Sequence, residues 1–165
     1  MAKMYLVTGC SGVGKTTFCK KLAEEKGLLY LAPDDIYQLI NGDASIRTNK
    51  FEVWITLFQA IHAAEVNGRD CIIDTNALTV NDRDQFLGWF PTFDHHLVYI
   101  EATPELRRQN NLQRTRHVPE EEMDRMSALV QPPRWGHLDK RWRSFLHIYN
   151  NNNTFEFVEQ KGSLS

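Results

Sequence analysis

The chain has 165 residues, with 19 basic and 21 acidic side chains and a formal charge of −2, a size suited to one compact domain that buries its own core. That balance excludes a strongly basic nucleic-acid coat, so any nucleic-acid contact must come from a local patch. Cys10, Cys19 and Cys71 are odd in number and lack C-x-x-C spacing, which argues against a disulfide framework or a zinc site. No run approaches the roughly 18 apolar residues of a membrane span, and no signal-peptide h-region precedes the first apolar run. The expectation is a reducing, cytoplasmic setting with no membrane partner.

Met4, Tyr5, Leu6 and Val7 form an apolar run suited to a strand buried on both faces. It leads into Gly9-Cys10-Ser11-Gly12-Val13-Gly14-Lys15-Thr16, which satisfies G-x-x-x-x-G-K-[ST] at every constrained position and is therefore a P-loop. The glycines let the backbone curl into a nest of N–H groups, and a helix starting near Lys15 adds its unpaired amides and positive dipole end. Polyphosphate fits there. Lys15 is placed to reach the β- and γ-phosphates of ATP and the Thr16 hydroxyl to help hold Mg²⁺, with Thr17 next along. Phe18, Cys19, Leu22 and Ala23 share one face of that helix, and Gly27 is its stop.

Leu28 to Leu31 reads as a second strand, followed at once by Pro33-Asp34-Asp35 and a short helix that Asn41-Gly42-Asp43 breaks. A long helical pattern over 50–66 places Phe51, Trp54, Ile55, Phe58 and Ile61 on its dominant face, with Val53, Leu57, Ala60 and Ala64 as a second stripe. Cys71-Ile72-Ile73-Asp74-Thr75-Asn76 is a third strand with an acid at its C-terminal end, where parallel sheets bind ligands. A helix follows from Thr79, then a fourth strand at Leu97, Val98, Tyr99 and Ile100.

Thr103-Pro104-Glu105 opens another helix. The stretch 106–116 is too polar and basic for a core element, and the reading is a lid over an anionic ligand or a solvated face. Pro119 to Glu122 starts the next helix, with Met123, Met126, Leu129 and Val130 at core spacing. A last helix is expected to hold Leu138, Trp142, Phe145, Leu146 and Tyr149. Arg134, Trp135, Lys140, Arg141, Trp142 and Arg143 interleave bases with aromatics, a pattern also met in nucleic-acid readers. Residues 150–153 are a turn, and 154–158 a fifth strand. No repeat or linker interrupts the chain, which gives a single domain over 1–160 and a frayed tail over 161–165.

Strands alternating with helices give an α/β fold: five parallel strands, helices on both faces, of P-loop NTPase or kinase type with a basic helical lid. Besides the P-loop, three groups fall where phosphoryl transfer needs them: Asp34 after strand two, Asp74 after strand three, and the arginines between Arg107 and Arg116. Asp34 is open to two readings, a general base for an acceptor hydroxyl or a helix cap. Asp74 is either a Mg²⁺-shell carboxylate or an acceptor-site group.

Taken together, the P-loop through Thr17, Asp34-Asp35, Asp74-Thr75-Asn76, and Arg114 followed by Val118-Pro119 and Met126 resemble the P-loop kinases grouped around bacteriophage polynucleotide kinase. The resemblance runs from Met4 to about Pro133. It implies ATP and Mg²⁺ as cofactors, with the nucleotide held by residues 9–17. It also implies Asp34 as base on a polynucleotide or nucleotide 5′-hydroxyl, Asp74 in the acceptor site and Arg114 as the lid arginine on the ATP phosphates. Counted forward from Glu105-Leu106 the register slips, and Arg116 becomes a second candidate.

One position departs from the family pattern. Tyr37 stands where that family keeps an arginine for the acceptor's 3′-phosphate, and tyrosine cannot make a charge-assisted fork to phosphate. A weak dependence on a 3′-phosphate is the expectation, unless Arg47 or Arg83 takes over the grip. The alternatives to a 5′-hydroxyl kinase are a kinase for a small molecule or tRNA, and a nucleotide-binding switch that moves no phosphoryl group.

Overall fold

The computed structural model describes residues 1–163. In chain order the elements are β1 (Lys3–Thr8), α1 (Lys15–Lys26), β2 (Leu29–Leu31), α2 (Pro33–Asn41), α3 (Lys50–Val66), β3 (Cys71–Asp74), α4 (Val80–Trp89), β4 (Asp94–Glu101), α5 (Pro104–Leu112), α6 (Glu120–Leu129), β5 (Trp142–Asn151) and β6 (Thr154–Gly162). A single 3₁₀ turn, Trp135–His137, precedes β5.

The strands form one sheet in the order β2-β3-β1-β4-β5-β6. Neighbours are parallel from β2 to β5, and β6 returns antiparallel to β5. Alternate side chains of β1 serve opposite faces of the sheet, as the period of a strand requires. Met4 and Leu6 join Val53, Leu57, Ile61, Phe86 and Leu87 from α3 and α4, and Phe90 just past the end of α4. Tyr5 and Val7 join Cys19, Ala23 and Met126 from α1 and α6. Two layers of helix therefore cover the parallel strands.

Three expectations change. The sheet has six strands rather than five, and it is mixed rather than wholly parallel. The expected last helix is largely β5: Leu138, Trp142, Phe145, Leu146 and Tyr149 fit helical spacing, but Ser144 and Ile148 between them and Asn150 just beyond are buried as well. A strand buried between two neighbours and covered on its faces gives a near-continuous apolar run, which periodicity cannot tell from a buried helix. The expected turn at 150–153 then joins β5 to β6, with positive φ at Asn152 (51°) and Asn153 (66°). Both central residues in the left-handed region is the type I′ signature, and asparagine tolerates it. β6 continues through Gly162, while residues 164 and 165 of the expected frayed tail lie outside the described residues.

On α3 the core stripe is Val53, Leu57, Ile61 and Ala64, and Phe51 and Ile55 of the expected dominant face are exposed. Of the bases and aromatics around residue 140, Trp142 is core, while Arg141 pairs with Asp139 and Arg143 with Asp94 on the surface. His95 and His96 are buried on β4, where burial pushes both rings below the ordinary histidine range, His96 to about 4. They are neutral core residues at physiological pH. No helix among the described residues is long and apolar enough to cross a membrane.

Candidate active site

The C-terminal ends of β1, β2 and β3 deliver the P-loop, Asp34 and Asp74 to one edge of the sheet. The strands reached from β1 and β3 leave in opposite directions, which opens the crevice where such sheets take ligands.

The loop is held from outside by its carbonyls. Lys15 Nζ donates to the carbonyls of Gly9 (2.8 Å) and Cys10 (2.9 Å). Arg107 Nε donates to that of Ser11 (3.0 Å), Asn110 Nδ2 to that of Gly12 (2.8 Å) and Asn150 Nδ2 to that of Val13 (2.9 Å). A loop whose carbonyls are claimed in this way keeps its N–H groups for an anion. Gly12, at φ 85°, lies so close to α5 that an added Cβ would stand 2.5 Å from the Arg107 carbonyl oxygen. A Cβ at Gly9 would stand 2.3 Å from that of Ile100. Both positions require glycine for approach as well as for φ.

Lys15 is buried, and burial lowers its amine pKa from the ordinary lysine value, with the Asp74 carboxylate pulling the other way. Thr16 and Thr17 are exposed at the start of α1. The Thr16 hydroxyl donates to Asp74 Oδ2 at 2.7 Å, and the Tyr30 hydroxyl donates to the same oxygen at 2.8 Å. A threonine hydroxyl beside a carboxylate is a hard-oxygen set of the kind Mg²⁺ prefers. Tyr30 was not singled out from the sequence. Its place inside a short apolar strand gave no signal for a polar role.

The basic stretch divides into three parts. Arg107 is 6% exposed and structural, since it also donates to Ser127 Oγ (2.6 Å) and the Met123 carbonyl (3.4 Å) of α6. Arg108 is exposed and pairs with Glu120 and Asp124. Only Arg114 and Arg116 turn to the crevice, and they stand beyond the end of α5, in the connection 113–119 rather than on a helix. Asn111 closes the base of that loop by bonding both the N–H and the carbonyl of Val118.

Arg114 and Arg116 both meet Asp34. Arg116 Nη1 lies 3.3 Å and Arg114 Nη2 3.7 Å from Asp34 Oδ2, while Arg47 Nη2 donates to Oδ1 at 2.8 Å. Asp34 is the second residue of α2; the N-cap is Ala32, with no side-chain cap bond. Its carboxylate therefore serves the crevice and not the helix end. Tyr37 is buried, and Arg47 lies over its ring at 4.4 Å. Arg83 is 1% exposed and donates to the Leu78 carbonyl inside the protein, which removes it as a grip on any ligand.

The tie from Arg107 to the loop makes a stability prediction. Arg107→Met keeps the apolar stem but leaves the Ser11 carbonyl and its α6 partners without a donor, at a cost of about 1 to 3 kcal/mol. The melting temperature should fall, and Arg107→Lys should not restore it, because one ammonium cannot reproduce the directions of the guanidinium fork. An Arg107→Met protein that melts with the wild type would show the tie to be idle.

A family model described as AAA domain matches residues 4–133. A search of curated proteins gives no match. Among solved structures, a sugar kinase from Janibacter sp. HTCC2649 is similar with TM-score 0.66 and 19% identity, over 90% of this chain and 86% of that one. A gluconokinase from Sinorhizobium meliloti 1021 has TM-score 0.60 and 17% identity, over 89% and 82%. A chain of the Pnkp1/Rnl/Hen1 RNA repair complex has TM-score 0.69 and 17% identity, covering 79% of this chain and 44% of that one. At these identities the likeness is one of fold, and that fold is the α/β P-loop kinase type.

Proposed function

The chain belongs to the AAA domain family, and from that premise we propose that it is an ATP-dependent phosphotransferase whose acceptor is a hydroxyl, foremost the 5′-hydroxyl of a polynucleotide or nucleotide. The observation that carries this reading is Asp34: a crevice carboxylate, free of any capping bond, on which both lid arginines converge. A nucleotide switch has no use for a base at that place.

In this reading the acceptor hydroxyl donates to Asp34. Its oxygen forms a bond to the γ-phosphorus as its proton passes to the carboxylate, and the bond from that phosphorus to the bridging oxygen of ADP breaks. Lys15 leaves the loop carbonyls for the phosphates, and the lid arginines cover the equatorial oxygens of the moving group and exclude water. The Thr16 hydroxyl and Asp74 are the groups that would hold Mg²⁺, which neutralises phosphate charge when bound. The bond between them supports the metal-shell role of Asp74 over the acceptor-site role.

A second reading, a small-molecule kinase, draws on the sugar kinase and gluconokinase among the similar structures and on Tyr37 in place of an arginine. A radiolabelled γ-phosphate transfer screen over 5′-hydroxyl DNA and RNA, tRNA, nucleosides, sugars and aminoglycosides tests both, with Lys15→Ala as the blank. Label is expected on a 5′-hydroxyl. Label only on a small molecule selects the second reading, and ATP hydrolysis with no labelled acceptor returns the protein to the switch class.

A further inference from the structure

The connection between α2 and α3, residues 42–49, is stitched down along its length. Asn41 at the end of α2 donates to the carbonyls of Ile46 (2.7 Å) and Thr48 (2.9 Å) and accepts from Asn49 Nδ2 (2.8 Å). Gln38 bonds Gly42 and Ala44, and Asp43 bonds the N–H and hydroxyl of Ser45. Arg47 sits between the two carbonyls that Asn41 pins. Its guanidinium is fixed twice more, by the buried ring of Tyr37 at 4.4 Å and by Asp34 at 2.8 Å.

Stability does not account for this arrangement. The side chains of Arg47 and Asp34 are 39% and 45% exposed, and a solvent-exposed ion pair returns little for the rotamer freedom it consumes. Charge points instead to a ligand. Three guanidiniums lie within 3.7 Å of the single carboxylate of Asp34, and Asp43 is the other acid felt by Arg116, so positive charge stays in excess at the mouth of the crevice. Arg114 and Arg116 come from the lid, where ATP phosphates answer them in the phosphotransferase reading. Arg47 comes instead from the connection between α2 and α3. Its bond to Asp34 uses one of the five N–H donors of a guanidinium, in a site open to solvent.

We propose that Arg47, seated on Tyr37, is the acceptor-recognition residue, and that the acceptor carries a phosphate or carboxylate within about 6 Å of the hydroxyl that is phosphorylated, the reach of a hydroxyl bonded to Asp34. This rests on the phosphotransferase reading and adds the substrate's charge to it. The bond between Arg47 and Asp34 sets the spacing between the anion and the reacting hydroxyl, so a neutral analogue loses orientation as well as affinity.

Two matched pairs serve as probes: adenosine 3′-monophosphate against adenosine, and gluconate against the open-chain polyol glucitol, which also separate a phosphate from a carboxylate ligand. The anionic member of at least one pair should be phosphorylated with kcat/KM about tenfold or more above its neutral partner. Arg47→Met should erase that preference through the acceptor KM while the KM for ATP holds, and Arg47→Lys should recover part of it. Equal use of both members, or a preference that survives Arg47→Met, overturns the proposal and leaves the phosphotransferase reading intact. If no probe is phosphorylated, binding decides, with the P-loop saturated by Mg·ADP. The Arg47 Nε–H resonance, assigned by its loss in Arg47→Met, should then move with an anionic member and not with its neutral partner. A resonance indifferent to all four probes overturns the anion site. A shift without transfer supports that site and counts against phosphoryl transfer.

Discussion

Asp34→Asn is expected to keep the fold and the affinity for ATP while slowing phosphoryl transfer by about 10² to 10⁴, the contribution of a positioned general base. Asparagine fills the same volume and accepts hydrogen bonds but cannot take the acceptor's proton. The helix cap is not at stake in this substitution, because Ala32 occupies that position and the Asp34 carboxylate makes no cap bond. Its effect on stability comes from the lost charge, about 0.3 to 1 kcal/mol through the helix dipole in the first turn of α2, together with the loss of its partly exposed ion pairs.

The substitution also strips three guanidiniums of their shared partner, so a slow variant could owe its loss to a displaced lid. Comparing Asp34→Asn with Asp34→Asn/Arg116→Ala separates the two. If Asp34 acts as base, removing Arg116 after the carboxylate is gone should cost as much as removing it from the wild type. If the acid merely places the lid, the second loss should largely vanish, since coupled residues are not additive. An Asp34→Asn enzyme with wild-type turnover ends the base assignment and leaves a nucleotide switch as the better reading.

Arg114→Ala should lower turnover by about 10² or more with ATP still bound, the size of effect seen when a transition-state charge partner is removed. The two lid arginines are unequal neighbours of the phosphate site. Burial is the main influence lowering the Lys15 pKa, but the charge of Arg114 lowers it further, which places that guanidinium within electrostatic reach of the P-loop. Arg116 is surrounded by the charges of Asp34, Arg47, Arg114 and Asp43, and its charge is not among those that shift Lys15. Arg116→Ala should therefore lower turnover less than Arg114→Ala does. Steady-state kinetics of the two variants, with ATP affinity measured separately, decide the matter. Full turnover in Arg114→Ala together with a hundredfold loss in Arg116→Ala would reverse the assignment.

The sequence by itself determined the parts whose physics is local. The P-loop is legible because a tight, glycine-lined turn between strand and helix demands its residue types at fixed spacing, and the acids after β2 and β3 are legible because apolar strands end abruptly on them. The turn at residues 150–153 was readable for the same reason, since asparagine tolerates the positive φ it requires, but only the structure makes it a hairpin, because the segment before it reads as a helix. Tertiary packing decided what lay beyond local spacing. β5 has apolar residues at helical intervals, and only cover on its faces and edges makes it a strand.

The same holds for the site's supporting residues. Arg107 reads as one more base in a polar helix until α5 is packed against the P-loop, 96 positions earlier, and Asn150 reads as a turn residue until β5 brings it to Val13, 137 positions earlier. Arg47 lies in an unremarkable polar connection, and only the fold lays it over Tyr37 and against Asp34. Side chains that hold a site across the chain acquire their partners from packing, and the spacing of residues along the sequence contains no trace of that geometry.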